Sequence, residues 1–284
     1  MVNRMGKWAQ VGVVLCSTSL ILASCNWLES SENQEQKKVN AKAISTQTQK
    51  QQQFATGKAE RKQGPITKEE KIQLGKLEKD HVIYHGPKDQ RVVALTFDDG
   101  PHPKYTQKIL DILHKENVKA TFFLIGKNVQ YYPELVEKEI KEGHVVASHS
   151  WAHRFFSNMG MENAKEDLEK TRAEIKKATK KNVLLFRPPY GAIKGMEEEV
   201  KKAGFVVINW DVDTNDWRPG RTPQQILQVI KKQVQPGSII LQHDGGGNRT
   251  ATVQALPKVI KYLKEQGYRF VTVDELLGIR PYTN

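Results

Sequence analysis

Seven short apolar runs of β type, at 92–97, 120–125, 144–149, 183–187, 205–213, 238–243 and 268–273, are each followed or preceded by an amphipathic segment. The segments between them, 104–116, 133–142, 163–180, 196–203, 223–235 and 252–265, carry apolar residues at helical spacing. Gly143, Gly204 and Gly267 stand where helices should stop, and Pro133 and Pro223 where helices should start. Strand and helix in strict alternation bury both kinds of face when the strands lie parallel and the helices cover them. The expected fold class is therefore α/β. Seven consecutive units favour a distorted or incomplete (β/α) barrel of seven to eight units over an open doubly wound sheet.

The reactive side chains fall at one recurring place. Asp98 and Asp99 follow the first run, His149 ends the third, Arg187 the fourth, Asp213 the fifth and His243 the sixth. Each stands at a strand's carboxyl end, and in a parallel barrel those ends share the face on which active sites are built.

Adjacent carboxylates repel, and a chain keeps Asp98 beside Asp99 only where a cation, a shared proton or a catalytic task compensates. His149 and His153 are four residues apart, one turn if the chain coils after the strand. Two imidazoles and one carboxylate, with positions left open, hold a catalytic divalent metal. One aspartate then binds the metal and the other serves as general base. Consecutive strand residues point to opposite faces, so the chain must leave strand geometry here, and Gly100-Pro101 is the expected break. Arg187, in Arg187-Pro188-Pro189-Tyr190-Gly191, can fix a carboxylate and lower its pKa. Asp213-Thr214-Asn215-Asp216-Trp217 offers further carboxylates and an aromatic suited to stacking on a sugar. His243 is the natural general acid opposite a metal, since an imidazole titrates near neutrality.

The first 80 residues read differently. Arg4 and Lys7 precede a short apolar stretch at 11–22 that ends in Leu22-Ala23-Ser24-Cys25. This is a secretory signal, and its ending resembles a bacterial lipobox. Residues 1–24 are expected to be a lipoprotein signal peptide and Cys25 to carry the lipid that holds the protein on the membrane. Residues 26–80, rich in Gln, Lys, Glu, Ser and Thr, are expected to be a polar tether reaching about 40 Å, with a transient helix around Lys68 to Lys79. The folded domain is expected to span 81–284. The only other cysteine, Cys16, lies in the signal, so the exported domain has neither a disulfide nor a thiol nucleophile. The formal net charge of +12 favours a polyanion, and for an exported chain an anionic wall is a better partner than nucleic acid.

Taken together, TFDDG (96–100), HSWAH (149–153), RPPYG (187–191), DTNDW (213–217) and LQH (241–243) resemble, in order, the motifs of the polysaccharide deacetylases that share the NodB homology domain, carbohydrate esterase family 4. The resemblance implies a metal-dependent hydrolase that removes N-acetyl groups from cell-wall glycan, peptidoglycan N-acetylglucosamine foremost. Chitooligosaccharide N-deacetylation and acetylxylan O-deacetylation are the alternatives, and a non-catalytic wall-binding lipoprotein is the alternative of another class. It implies Asp99, His149 and His153 as metal ligands, with zinc ahead of cobalt or nickel, and Asp98 as base. It further implies His243 as acid, Arg187 orienting Asp98, and Asp213, in preference to Asp216, tuning His243. Tyr190 would donate its backbone N–H to the oxyanion, and Trp217 and Leu241 would line the acetyl pocket. The chain is expected to act as a monomer outside the cytoplasm, facing the wall.

Overall fold

A computed structural model describes residues 66–79 and 81–283. The signal, Cys25 and the tether up to residue 65 lie outside the described residues. The strands are β1 (Glu78–Lys79), β2 (Val82–Ile83), β3 (Val92–Gly100), β4 (Thr121–Leu124), β5 (Val145–Ser148), β6 (Asn182–Val183), β7 (Leu185–Phe186), β8 (Val206–Ile208), β9 (Val212–Asp213), β10 (Ile239–His243), β11 (Arg269–Phe270) and β12 (Tyr282–Thr283). The principal sheet runs β1-β2-β8-β7-β5-β4-β3-β10-β9, with β11 paired to β3. Every pairing in it is parallel except β1 with β2. All seven runs read as strands in the sequence contribute to it.

The expected barrel is found, as a curled, incomplete one. The sheet path starts at β1-β2-β8 and ends at β10-β9, yet β8 and β9 are separated only by Asn209, Trp210 and Asp211. The Asn209 N–H donates to the Ile83 carbonyl (2.7 Å) on one side, and the Asp211 N–H to the Ile239 carbonyl (3.3 Å) on the other. One stretch of chain therefore holds both ends of the sheet, and the sheet must curl to allow it. β3, paired with β4, β10 and β11, is buried along its whole length. This explains why Val92-Val93-Ala94-Leu95 lacks polar alternation: a strand covered on both faces is apolar on both.

The helices fall where the periodicity puts them. Tyr105–Glu116, Pro133–Lys141, Met161–Thr179, Glu197–Lys202, Pro223–Gln233 and Thr250–Glu265 each match an expected segment within about two residues. Gly143, Gly204 and Gly267 follow helix ends with φ of 84°, 78° and 77°, the left-handed geometry that closes a helix without a Cβ clash. Thr250–Glu265 buries Ala255, Leu256, Val259, Ile260 and Leu263 at i, i+1, i+4, i+5 and i+8. Each large side chain there contributes about 1.5–3 kcal/mol by leaving water.

Residues 66–79 depart from the tether reading. Helix Lys68–Gly75 is capped by Thr67, Leu74 is buried in the core, and buried Glu70 pairs with Arg280 Nε at 3.0 Å. The packed structure thus reaches back to Ile66 rather than starting at His81. Few apolar residues mark this helix, and its main electrostatic partner lies 210 positions away, out of reach of any local pattern.

Candidate active site

The two carboxylates are separated by a bulge. β3 and β4 pair Asp98 with Phe123 and Gly100 with Leu124, so Asp99 is the unpaired extra residue. Asp99 has φ 73°, and Asn128 Nδ2 donates to its carbonyl at 2.8 Å. The break therefore lies at Asp99 itself, one residue before the expected Gly100-Pro101. Holding a non-glycine residue there costs about 1–3 kcal/mol. It lets consecutive side chains serve one cavity.

Their nearest partners then differ, although His149 Nε2 lies 3.8 Å from Asp98 Oδ2 as well. Asp98 Oδ1 accepts from Arg187 Nη1 at 2.7 Å. Burial raises the Asp98 pKa, and the Arg187 charge opposes that rise without cancelling it. Arg187, fully buried, spends its other donors on the Ile208 and Asn209 carbonyls and on Thr96 Oγ1, and lies over the Phe123 ring at 3.9 Å. Asp99 Oδ1 instead lies 3.5 Å from His149 Nε2 and 3.3 Å from His153 Nε2.

Asp99, His149 and His153 form a group whose ligand atoms all lie within 4.8 Å of one another. His149 Nδ1 donates to the Arg187 carbonyl at 2.7 Å, which leaves the Nε2 lone pair facing Asp99. Burial pushes the His149 pKa down to about 3, against the pull of Asp99, so the ring is neutral, as a metal ligand must be. Asp99 Oδ1 is buried with no hydrogen-bond partner among the described residues. An orphaned carboxylate oxygen facing two imidazole nitrogens is the donor set a divalent cation satisfies, and the residues present fit one. Gly246 comes so close that an added Cβ would strike Asp99 Oδ2.

The histidines do not meet on a helical turn, as their spacing predicts. Ser150 (φ 68°) and His153 (φ 56°) fold the segment back instead. The fold-back is pinned by the His153 N–H on Ser150 Oγ (3.0 Å) and the Trp151 N–H on Asp167 Oδ1 (2.7 Å).

His243, at the end of β10, donates from Nδ1 to Asp216 Oδ1 at 2.7 Å. Asp216 Oδ2 accepts from the His243 N–H (2.8 Å) and from Thr252 Oγ1 (2.7 Å). Burial pushes the His243 pKa down, but the Asp216 carboxylate, with the Asp98 and Asp99 charges behind it, outweighs burial and lifts it to about 9. Burial likewise pushes Asp216 up, and the His243 charge and these hydrogen bonds bring it below the usual carboxylate value.

This corrects the expectation for Asp213. Asp213 ends β9 and lines the cavity, but its Oδ1 accepts from the Asn215 N–H (2.7 Å) in a local turn. Asn215 (φ 55°) then sends the chain back so that Asp216 reaches His243. Strand-end position favoured Asp213. The Asp-Thr-Asn sequence, prone to such turns, was the signal that the third residue on would face inward.

The residues so placed surround a cavity of about 570 Å³. Asp98, Asp99, His149 and His153 line one part of it, and His243, Leu241, Trp217 and Tyr190 another. Arg187 lies behind the wall. Tyr190 has φ 61° in the turn after Pro189, and its ring meets His153 edge-on and stacks on Phe155. Trp210, Arg249, Asn128 and Thr96 also line or brace the site, and sequence reasoning missed them. Trp210, Arg249 and Asn128 are single residues outside the five motifs, and Thr96, though it opens TFDDG, sits in an apolar run where only its buried bond to Arg187 gives it a role.

Comparison with known proteins places this geometry. Residues 85–208 match the family model described as polysaccharide deacetylase. A peptidoglycan-N-acetylglucosamine deacetylase of Bacillus cereus is 42% identical over 201 residues, 69% of this chain and 93% of that protein. The peptidoglycan-N-acetylmuramic acid deacetylase PdaC of Bacillus subtilis is 38% identical over 68% of this chain and 40% of its own length. A crystal structure of a peptidoglycan N-acetylglucosamine deacetylase bound to 4-naphthalen-1-yl-N-oxidanyl-benzamide superposes with a TM-score of 0.66 at 37% identity, covering 69% of this chain and 92% of that one. A family pseudoenzyme from Bacillus anthracis superposes equally well, with a TM-score of 0.66 at 30% identity, covering 73% and 74%. By this identity over nearly the whole of a curated relative, and by its fold, the chain belongs to the polysaccharide deacetylase family, the NodB-type hydrolases of carbohydrate esterase family 4.

Proposed function

We propose that this chain removes N-acetyl groups from peptidoglycan N-acetylglucosamine, using a divalent metal held by Asp99, His149 and His153, with zinc the first choice. The supporting observation is the division of two adjacent carboxylates between two partners: Asp99 turns to the imidazoles and Asp98 to Arg187. When bound, the cation supplies a Lewis acid that acidifies a water and polarises the acetyl carbonyl.

The chain's own groups do the rest. Asp98, held in place by Arg187, accepts a proton from the attacking water. The Tyr190 backbone N–H donates to the carbonyl oxygen as negative charge grows there. His243 gives its Nε2 proton to the departing sugar nitrogen, with Asp216 on Nδ1 keeping the ring protonated and aimed. Trp217 and Leu241 enclose the acetyl methyl. Lipid on Cys25 would hold the enzyme at the membrane, and residues 26–65 would let it reach the wall above.

The substrate rests on the relatives named for peptidoglycan and on the export signal. Acetylxylan is the second reading, because a bifunctional xylanase/deacetylase is also 38% identical over 68% of this chain. The pseudoenzyme neighbour keeps a non-catalytic wall binder in view. Acetate release from purified peptidoglycan, chitooligosaccharide and acetylxylan, with added zinc and with a chelator, separates the three. Chelator-sensitive release from peptidoglycan supports the proposal. Release from xylan alone moves the reaction to an ester, and release from none of them, with metal bound, makes the chain a binder.

A further inference from the structure

Beyond Trp217 the catalytic cavity continues into a groove of about 590 Å³ that shares Trp217, Gly246 and Arg249 with it. Three arginines, Arg218, Arg221 and Arg249, line this groove. Its one acidic lining residue, Asp216, is committed to His243 and Thr252. Arg172, Arg187 and Arg280 are ion-paired, to Glu169, Asp98 and Glu70, whereas among the described residues Arg218, Arg221 and Arg249 form no ion pair.

The most telling is Arg249. It is only 5% exposed, and its guanidinium donates to the Gly245 carbonyl (2.6 Å) and the Gly246 carbonyl (3.1 Å), neutral acceptors that leave its charge uncompensated. Burying a cation without a counter-ion is costly, and chains arrange it where an anion arrives from outside. Arg221 is fixed by two bonds to the Thr214 carbonyl, and Arg218 lies 5.1 Å from the centre of the Trp217 ring. The helices Pro223–Gln233 and Thr250–Glu265 both begin at this groove and add the positive ends of their dipoles. Across the cavity, the exposed Phe155 and Tyr190 form a neutral stack 4.8 Å apart. Three arginines thus line the Trp217 side, while the one arginine adjacent in sequence to the stack, Arg154, is exposed and lies outside the cavity lining.

We infer that the groove beyond Trp217 is a subsite for a carboxylate carried by the glycan next to the sugar that is deacetylated, such as the lactyl carboxylate of an N-acetylmuramic acid that bears no stem peptide. The inference rests on the glycan reading above and adds its direction: in an alternating glycan both neighbours of an internal N-acetylglucosamine are N-acetylmuramic acid, and the groove reads the acid of the one on the Trp217 side. Trp217, nearly half exposed, stacks on the sugar ring while the guanidiniums take the acid.

The test is equilibrium binding to the zinc-loaded full chain, with Asp98→Asn to stop turnover. The probes are a tetrasaccharide of alternating N-acetylglucosamine and N-acetylmuramic acid and the same tetrasaccharide with its lactyl carboxylates reduced to alcohols. The acidic probe should bind about three- to tenfold more tightly at low salt, and the ratio should shrink as salt is added. Arg218→Gln should cut that ratio, and Arg218→Gln with Arg221→Gln should cut it further, with Arg249 retaining the remainder. Equal binding of the two probes, or an unchanged ratio in the double variant, overturns the inference. Acetate release by the unmutated chain from neutral chitooligosaccharide tests the deacetylase reading separately, since that probe has no acid to recognise.

Discussion

Replacing Asp216 by Asn removes the charge that holds His243 protonated while keeping the shape of the buried side chain. The proposed acid has a pKa of about 9, and burial alone would carry it below the ordinary 6.5. A return to 6.5 removes on the order of 3 kcal/mol of preference for the imidazolium. At about pH 7.5 the acid form then falls about tenfold, and at about pH 8.5 nearly a hundredfold, before any loss of ring orientation is counted. The assay is kcat/KM for acetate release between about pH 5 and pH 10. The alkaline limb should move down by about one unit or more from its position in the parent, because the Asp216 charge is the largest influence raising the His243 pKa. Stability supplies a second readout. Because the folded pKa lies above the unfolded one, the pair's stabilisation is complete below about pH 6.5 and is lost as pH rises through about 9. The parent's Tm should fall across that window and the variant's should not. An alkaline limb that stays where the parent has it in Asp216→Asn would refute the claim that Asp216 sets the acid.

Other substitutions separate the remaining roles. Asp213→Asn should leave that alkaline limb in place, because Asp213 bonds Asn215 and not His243; a pH profile like that of Asp216→Asn would restore the original expectation. Arg187→Met strands Asp98 as an unpaired buried carboxylate. It should destabilise the fold by about 3–5 kcal/mol in denaturant titration and raise the acidic limb of the rate profile, since the Arg187 charge is what restrains the Asp98 pKa. Gly246→Ala places a methyl against Asp99 Oδ2 at a residue with φ 69°; zinc affinity by calorimetry should drop about tenfold or more, and unchanged affinity would show that Asp99 is free to move.

The fold was legible because its pattern is local. Each strand is a short apolar run, each helix an amphipathic one, and glycine and proline mark the ends in between. The site was legible for a different reason: in a parallel sheet the strand ends converge, so residues far apart in sequence could be assigned to one face before any contact was known. Failures occurred where a single dihedral or a distant partner decides. The left-handed turns at Asp99, Ser150, His153 and Asn215 have no glycine to announce them, so the bulge was placed one residue late and the histidine pair was put on a helix. The choice of Asp216 over Asp213 hangs on one of these turns. Helix Lys68–Gly75 was expected only as a transient helix of the tether, because the partner that compensates its buried Glu70, Arg280, comes from the far end of the chain.

The division of labour between the adjacent carboxylates is the centre of the account, and one paired measurement addresses it: zinc stoichiometry and acetate release for Asp98→Asn and Asp99→Asn side by side. Asp98→Asn should keep one zinc per chain while losing at least about a hundredfold in kcat, as loss of a general base does. Asp99→Asn should lose both the zinc and the activity. If Asp98→Asn loses its metal, or keeps its rate with metal bound, the two aspartates do not divide the work in this way.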